Sequence, residues 1–193
     1  MKKILTFIIS IFCLIGLQNI NAQTISAGYL NGAYRTTDSG LSFSMQGNGA
    51  YVGADMDFAI ADYLYVTPGV FVDFMAYRLF DNTTARALYL RAPIHLKVAA
   101  DFNGVNVFAT AGPSLQFAVA GKLHYHDGGI DYTEDFFDED SQRFDVPIGV
   151  SGGVEFGNFR FTVGYDWGML NQNRTDDVTL KRNFLHVGVG YRF

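Results

Sequence analysis

Eight stretches of this chain alternate apolar and polar residues with a period of two, and the segments joining them alternate short and long. The alternating stretches are 24–34, 49–60, 64–76, 87–99, 105–119, 143–156, 159–168 and 182–193. A period of two puts successive side chains on opposite faces of a strand, so each stretch reads as a β-strand with one apolar face. The joints after strands two, four and six are tight: Ala61-Asp62-Tyr63, residues 100–104 and Gly157-Asn158. Those after strands one, three, five and seven are long and polar, spanning 35–48, 77–86, 120–142 and 169–181. Tight turns at one end and long loops at the other mark an up-and-down barrel in an outer membrane, with the turns in the periplasm. The expected fold is therefore all-β, an eight-stranded antiparallel up-and-down transmembrane β-barrel.

A soluble barrel of lipocalin type also alternates, so the kind of polar residue has to decide which face meets solvent. In strand six, Phe144, Val146, Ile148, Val150, Val154 and Phe156 oppose Asp145, Pro147, Gly149, Ser151, Gly153 and Glu155. In strand eight, Leu185, Val187, Val189, Tyr191 and Phe193 oppose Phe184, His186, Gly188, Gly190 and Arg192. Strand five sets Val107, Ala109, Ala111, Leu115 and Phe117 against Thr110, Gly112, Ser114 and Gln116. A water-facing surface would carry long Lys and Glu, whereas mostly small residues with a few charges suit the cramped interior of an eight-stranded barrel. The apolar faces then point to lipid. Tyr165 and Trp167 near one end, and Phe58, Phe156, Phe159, Tyr191 and Phe193 near the other, fit two aromatic belts at the headgroups.

With lipid outside, the run LYLRAPIHLKV (88–98) sends Arg91, His95 and Lys97 into the lumen, where unpaired charges are costly. The same inward parity offers Asp55, Asp57, Asp73, Asp145, Glu155 and Asp166 as partners, with Arg160 and Arg192 adding basic groups and His186 hydrogen-bonding among them. A lumen filled by a roughly balanced charge network is the expectation. Such a network plugs the barrel, its role being structural.

The first 22 residues place Lys2 and Lys3 before an apolar run from Ile4 to Leu17 and a polar stretch ending at Ala22. That is the plan of a cleaved signal peptide, the run being shorter than the roughly 20 apolar residues of a spanning helix. Domains of 1–22 (signal peptide) and 23–193 (barrel) follow, and the location expected is the cell outer membrane. The single cysteine, Cys13, leaves with the signal, so no disulfide staples the mature chain. The 19 acidic residues then face 12 basic ones, and a chain with that balance and no basic stripe is a poor nucleic-acid binder.

Segment 120–142, AGKLHYHDGGIDYTEDFFDEDSQ, is the most distinctive. It holds Asp127, Asp131, Glu134, Asp135, Asp138, Glu139 and Asp140, together with Tyr125, Tyr132, Phe136 and Phe137. The spacing fits no calcium loop, and charge blocks usually just solvate. Aromatics among the charges make the segment a candidate partner-contact loop, since exposed aromatics favour interfaces. His124 and His126 lie two apart, but a zinc site needs a third ligand that the sequence does not fix. A rim enzyme would draw on His124, His126, Asp127 and Ser141, with no spacing that enforces a triad. No catalytic residue, metal or cofactor is expected. Asn82-Thr83-Thr84 and Asn173-Arg174-Thr175 fit the glycosylation sequon, a frequent chance pattern.

The segments YLRAPIHLKV (89–98), FATAGPSLQF (108–117), FDVPIGVSGGVEF (144–156), GYDWGMLN (164–171) and the terminal HVGVGYRF together resemble the PorT-like outer-membrane β-barrel family. More broadly they are similar to OmpA-type eight-stranded barrels. Val189, Tyr191 and Phe193 resemble the C-terminal signal read by the barrel-assembly machinery. The resemblance implies an integral membrane protein in contact with outer-membrane lipid, handled by that machinery during biogenesis. The family's founding member is associated with a protein secretion system, and no catalytic residues carry over. No peptidoglycan-binding domain is expected after the last strand. The functional expectation is a non-enzymatic barrel with extracellular loops for partner contact or for envelope or secretion-system support. The alternatives are a narrow channel and a rim-located lipid-modifying enzyme.

Overall fold

The computed structural model of the protein describes residues 23–38, 41–80, 83–127, 130–137, 142–172 and 179–193. The expected signal peptide, Asp138, Glu139, Asp140 and Ser141, and sequon residues Asn82 and 173–175 lie outside them. The described residues form eleven strands: β1 Gln23–Asp38, β2 Leu41–Met56, β3 Phe58–Ala61, β4 Leu64–Phe80, β5 Thr83–Phe102, β6 Val105–Asp127, β7 Ile130–Asp135, β8 Phe144–Asp145, β9 Ile148–Phe156, β10 Phe159–Trp167 and β11 Thr179–Arg192. All pairings are antiparallel, and eight positions close into a ring. β3 continues β2 beyond Asp57, and β8 continues β9 toward the opposite end. β1 meets β11 from Thr24↔Arg192 to Thr37↔Thr179, which closes the wall. Ladder partners traced once around the wall lead from Gln23 to Ala33, ten residues further along β1. That stagger tilts the strands against the barrel axis.

The tight turns are where the alternation places them, at 62–63, 103–104 and 157–158. Gly104 and Gly157 take positive φ angles of 86° and 56° there, a conformation that glycine adopts without steric cost. The long connections differ from the expectation. β1 and β2 stay paired up to Asp38↔Leu41, and β4 and β5 up to Phe80↔Thr83. β6 runs on to Asp127 and folds back as β7, pairing from Lys122↔Asp135 to Asp127↔Ile130. Segments read as polar loops are therefore mostly hairpins standing on the barrel. Two strands already in register keep exchanging backbone hydrogen bonds after they leave the hydrocarbon, and polar side chains do not oppose this once both faces meet water.

The outer wall is an apolar band. Ile25, Val52, Val72, Phe74, Ile94, Leu96, Val98, Leu115, Val150, Val163, Val187 and Val189 all lie exposed on it. Trp167 and Tyr165, 4.9 Å apart between ring centroids, mark one border of the band. Phe58, Phe102, Phe156, Phe159, Tyr191 and Phe193 mark the other.

Two substitutions test this facing. Val150, 42% exposed on β9, points outward at mid-strand. Val150→Arg should cost about 2–4 kcal/mol in equilibrium refolding into lipid vesicles. Asp62→Arg in the exposed turn should stay within about 0.5 kcal/mol of the unmodified barrel. Equal losses would count against this assignment of faces.

Candidate functional site

The inward faces of the ring strands build the lumen in tiers. The lowest tier, nearest the tight turns, is an ion-pair network. Lys97 Nζ donates to Asp57 Oδ2 at 2.7 Å and to Glu155 Oε1 at 2.6 Å. Arg160 spans three carboxylates, reaching Asp55 at 2.6 Å, Asp57 at 3.0 Å and Glu155 at 2.7 Å. Arg192 closes the set with bonds of 2.9 Å to both Asp57 and Glu155. Thr67 and Asn106 donate to oxygens of Asp57 and Glu155. Three cations thus meet three carboxylates, and Phe108 lies under Lys97 and Arg160, 4.8 Å and 5.5 Å from its ring centre. Lys97 is 2% exposed, so its charge depends wholly on these partners.

The middle tier holds Arg91, which donates to both oxygens of Asp73 through Nε at 2.8 Å and Nη2 at 3.0 Å. This two-pronged geometry fits a planar guanidinium to a carboxylate. Gln116 adds a third donor to Asp73, and the rings of Phe71 and Phe184 flank Arg91. Beside it His186 Nδ1 lies 3.0 Å from Asp166 Oδ2, and His95 lies between the hydroxyls of Thr110 and Ser114. Thr110 and Ser151 bond each other at 2.6 Å. A cavity of about 80 Å³ remains here, lined by hydroxyls of Ser26, Thr67, Thr110 and Ser151 and by both histidines. It has room for a few waters.

Above this the lumen departs from the expectation of a charge network throughout. Leu30, Tyr34, Met75, Tyr77, Tyr89, Ala118, Phe137 and Phe184 form an apolar and aromatic core. Arg182, which inward parity alone did not single out, is buried in it with its guanidinium 3.8 Å from the Tyr89 ring centre. Tyr34 and Tyr89 join hydroxyls at 2.8 Å. Its close contacts are the ring faces of Tyr89 and Phe184, so opposite charge on the inward parity does not point to it. Asp145 is buried as expected but, among the described residues, takes no part in the ion pairs made by the lumen's other carboxylates. Its Oδ1 accepts from the backbone amides of Val146, Met169 and Leu170, pinning the 169–172 connection to the barrel top.

The segment read as a partner loop divides in two. Phe136 and Phe137 fold inward rather than presenting to a partner. Phe137 is 7% exposed and packs edge-on against Tyr89, while Phe136 stacks on Tyr77. An inward glycine makes this fit, because a Cβ at Gly121 would lie 2.6 Å from the Phe137 ring. Tyr132, Glu134 and Asp135 are exposed on β7, with Tyr125 and Tyr132 6.3 Å apart. Lys122 reaches Asp135 at 2.7 Å and holds its carboxyl below the usual carboxylate range. His124 Nδ1 lies 3.3 Å from the Thr133 hydroxyl, and His126 is opposite Asp131 in the ladder, with Asp127 beside it opposite Ile130. Among the described residues no three metal-ligating side chains converge.

The family model described as an outer membrane protein beta-barrel domain matches residues 2–172. The chain belongs to that family. It is an outer-membrane protein, and the eight-stranded antiparallel ring is the family's architecture realised in this sequence. Among solved structures the barrel is similar to Ail, the attachment invasion locus protein of Yersinia pestis, at 17% identity and a TM-score of 0.47, over 90% of this chain and 99% of that one. Neisserial surface protein A aligns at 18% identity and a TM-score of 0.46, over 89% and 97% of the two chains. The outer membrane enzyme PagL aligns at 10% and 0.49, over 85% and 99%. These likenesses carry no functional inference for this barrel. No curated protein matches the chain.

The Arg91–Asp73 pair gives a sharp test of what fills the lumen. Arg91→Met leaves a buried carboxylate unpaired and should destabilise the barrel by about 3–5 kcal/mol in urea unfolding from vesicles. Adding Asp73→Leu should recover most of that loss. A double variant no better than the single one would mean that the two side chains are not partners.

Proposed function

We propose that this is a non-enzymatic outer-membrane barrel whose external hairpins contact a protein partner or support the envelope, and whose lumen serves stability. The observation that carries the reading is the commitment of lumen groups to one another. The lower tier is neutralised within itself, and Phe136, Phe137 and the tyrosines pack the upper end. Chemistry left for a partner lies outside, on the β6–β7 hairpin with Tyr125, Tyr132, Glu134 and Asp135. Exposed aromatics on a hairpin held by its own ladder contribute contact area at little entropic cost. Residues 1–22 serve in this reading as a cleaved signal peptide, and Val189, Tyr191 and Phe193 as the signal for barrel assembly. The PorT-like character of YLRAPIHLKV and HVGVGYRF favours a secretion-system setting for the partner.

Two measurements test the proposal. Purified protein in planar bilayers should give no steady single-channel current, whereas a reproducible conductance would make it a narrow channel. Affinity capture from gently solubilised outer membranes, with a tag in the 169–181 connection, should recover a stoichiometric partner. That partner should be lost when 124–140 is replaced by a short Gly/Ser linker. Recovery of both versions alone would overturn the partner role, and altered membrane lipid profiles on His124→Ala/His126→Ala would point to a rim enzyme instead.

A further inference from the structure

Five cations on the outer wall stand apart from the lumen network, and of them only Lys122 serves the hairpin, through Asp135. Lys181 on β11, Arg35 on β1, Arg78 on β4, Arg86 on β5 and Lys122 on β6 are all exposed and share the outward parity of the apolar band. The ladders make them neighbours: Arg35 is opposite Lys181, Arg86 is opposite Lys122, and Arg78 and Arg86 are opposite Thr84 and Ala76 on adjoining strands. The stagger of the ring brings residues on β1 some four places above their perpendicular partners on β5 to the same height. Arg35 therefore stands level with Arg86 although the perpendicular from Arg86 runs through Ala76 and Asn48 to Asn31. Together they form a belt around more than half of the wall.

The belt sits at the upper edge of the apolar band. Arg86 follows directly above Leu88 and Leu90, and Arg78 lies two outward positions above Phe74. At this depth a cation costs little, and the headgroups of the outer leaflet lie beside it. Like charges directly opposite in neighbouring strands are destabilising, yet the belt contains two such pairs. Among the described residues Asp135 alone is ion-paired to it, through Lys122. Arg35, Arg78, Arg86 and Lys181 make no ion pair there. The polar residues beneath are neutral amides and a phenol: Asn31 and Tyr29 both donate to Asn48 Oδ1. A groove of about 430 Å³ opens on the same face, lined by Gln46, Asn48, Ala76, Arg78 and Thr84.

We propose that this belt and groove bind a phosphorylated saccharide lipid of the outer leaflet, the guanidinium groups taking phosphate and Gln46 and Asn48 taking sugar hydroxyls. Arginine suits phosphate because its planar fork matches two oxygens at once. Bound phosphate also removes the repulsion within the two like-charged pairs. Apart from Lys122, which it shares with the hairpin through Asp135, the site is independent of the hairpin's partner role and of the closed lumen.

The test uses the full protein purified from outer membranes, stripped of lipid in detergent and titrated under native mass spectrometry. The probes are a bis-phosphorylated acylated glucosamine disaccharide (lipid A), its dephosphorylated form and phosphatidylglycerol. The protein should retain the phosphorylated disaccharide above both other lipids. Arg35→Gln/Arg78→Gln/Arg86→Gln should weaken that retention by at least about tenfold. Heat-shifted gel mobility reports whether the triple variant is folded, and Arg78→Gln and Gln46→Ala singly, each expected to weaken retention, decide the matter if it is not. Equal retention of the dephosphorylated form or of phosphatidylglycerol, or retention unchanged by the variants, would overturn the assignment.

Discussion

The structure depends on the pairing of its first strand with its last. Hydrocarbon offers no partner to a backbone amide, so a sheet with a free edge could not stand in a membrane. β1 and β11 remove both edges by pairing along their length, and Phe193 N donates to Gln23 O at 3.0 Å at the foot of the seam. Once the ring is closed with its stagger, strand number and tilt fix the width of the interior. Every inward side chain must then be chosen to fill that width and to satisfy its neighbours.

Two different solutions to that constraint share one lumen. Near the tight turns, long charged side chains fill space and neutralise each other, with the Thr67 hydroxyl and the Asn106 amide adding hydrogen bonds to the carboxylates. Near the hairpins, rings and methyl groups do the filling, and one guanidinium is held by aromatic faces. The lower solution gives specificity, because a buried ion pair is satisfied in one register only. The upper solution contributes area burial and lets the β6–β7 hairpin dock through Phe136 and Phe137. The pinning of 169–172 by Asp145 belongs to this upper region too, where a carboxylate serves backbone amides and not a cation.

Much of this was legible in the alternation. Arg91, His95, Lys97, Asp55, Asp73, Glu155, Arg160 and Asp166 face inward on the parity that makes Val150 and Val187 face outward. The number of strands and the tight turns follow from the spacing of Gly157-Asn158 and its counterparts. What stayed hidden has physical causes. Parity tells the side of the wall but not the height, so the partners of Asp145 could not be told from those of Asp73. Arg182 lies against ring faces, whose attraction for a cation leaves no charge signature in a sequence. Phe136 and Phe137 stand in an acidic context that reads as solvated, and only the glycine at 121, opposite in the fold, explains why they turn in. The hairpins read as loops in the sequence because residues such as Arg35 and Ser44 lose the apolar marker of a strand once both faces are wet, while the ladder that binds them continues.

The same loss of marker hides the outer belt. Within the membrane, facing decides residue type; beyond it, facing no longer matters to burial, and a cation on an outward position is indistinguishable by pattern from any solvated one. Position around the ring supplies what pattern lacks. Arg35 and Arg86 are 51 residues apart in the chain and become level only because the stagger lifts one strand against another. The shear that closes the barrel thus also sets which surface cations act together, so the geometry imposed by lipid on the backbone extends to the charge presented at the lipid's own headgroups.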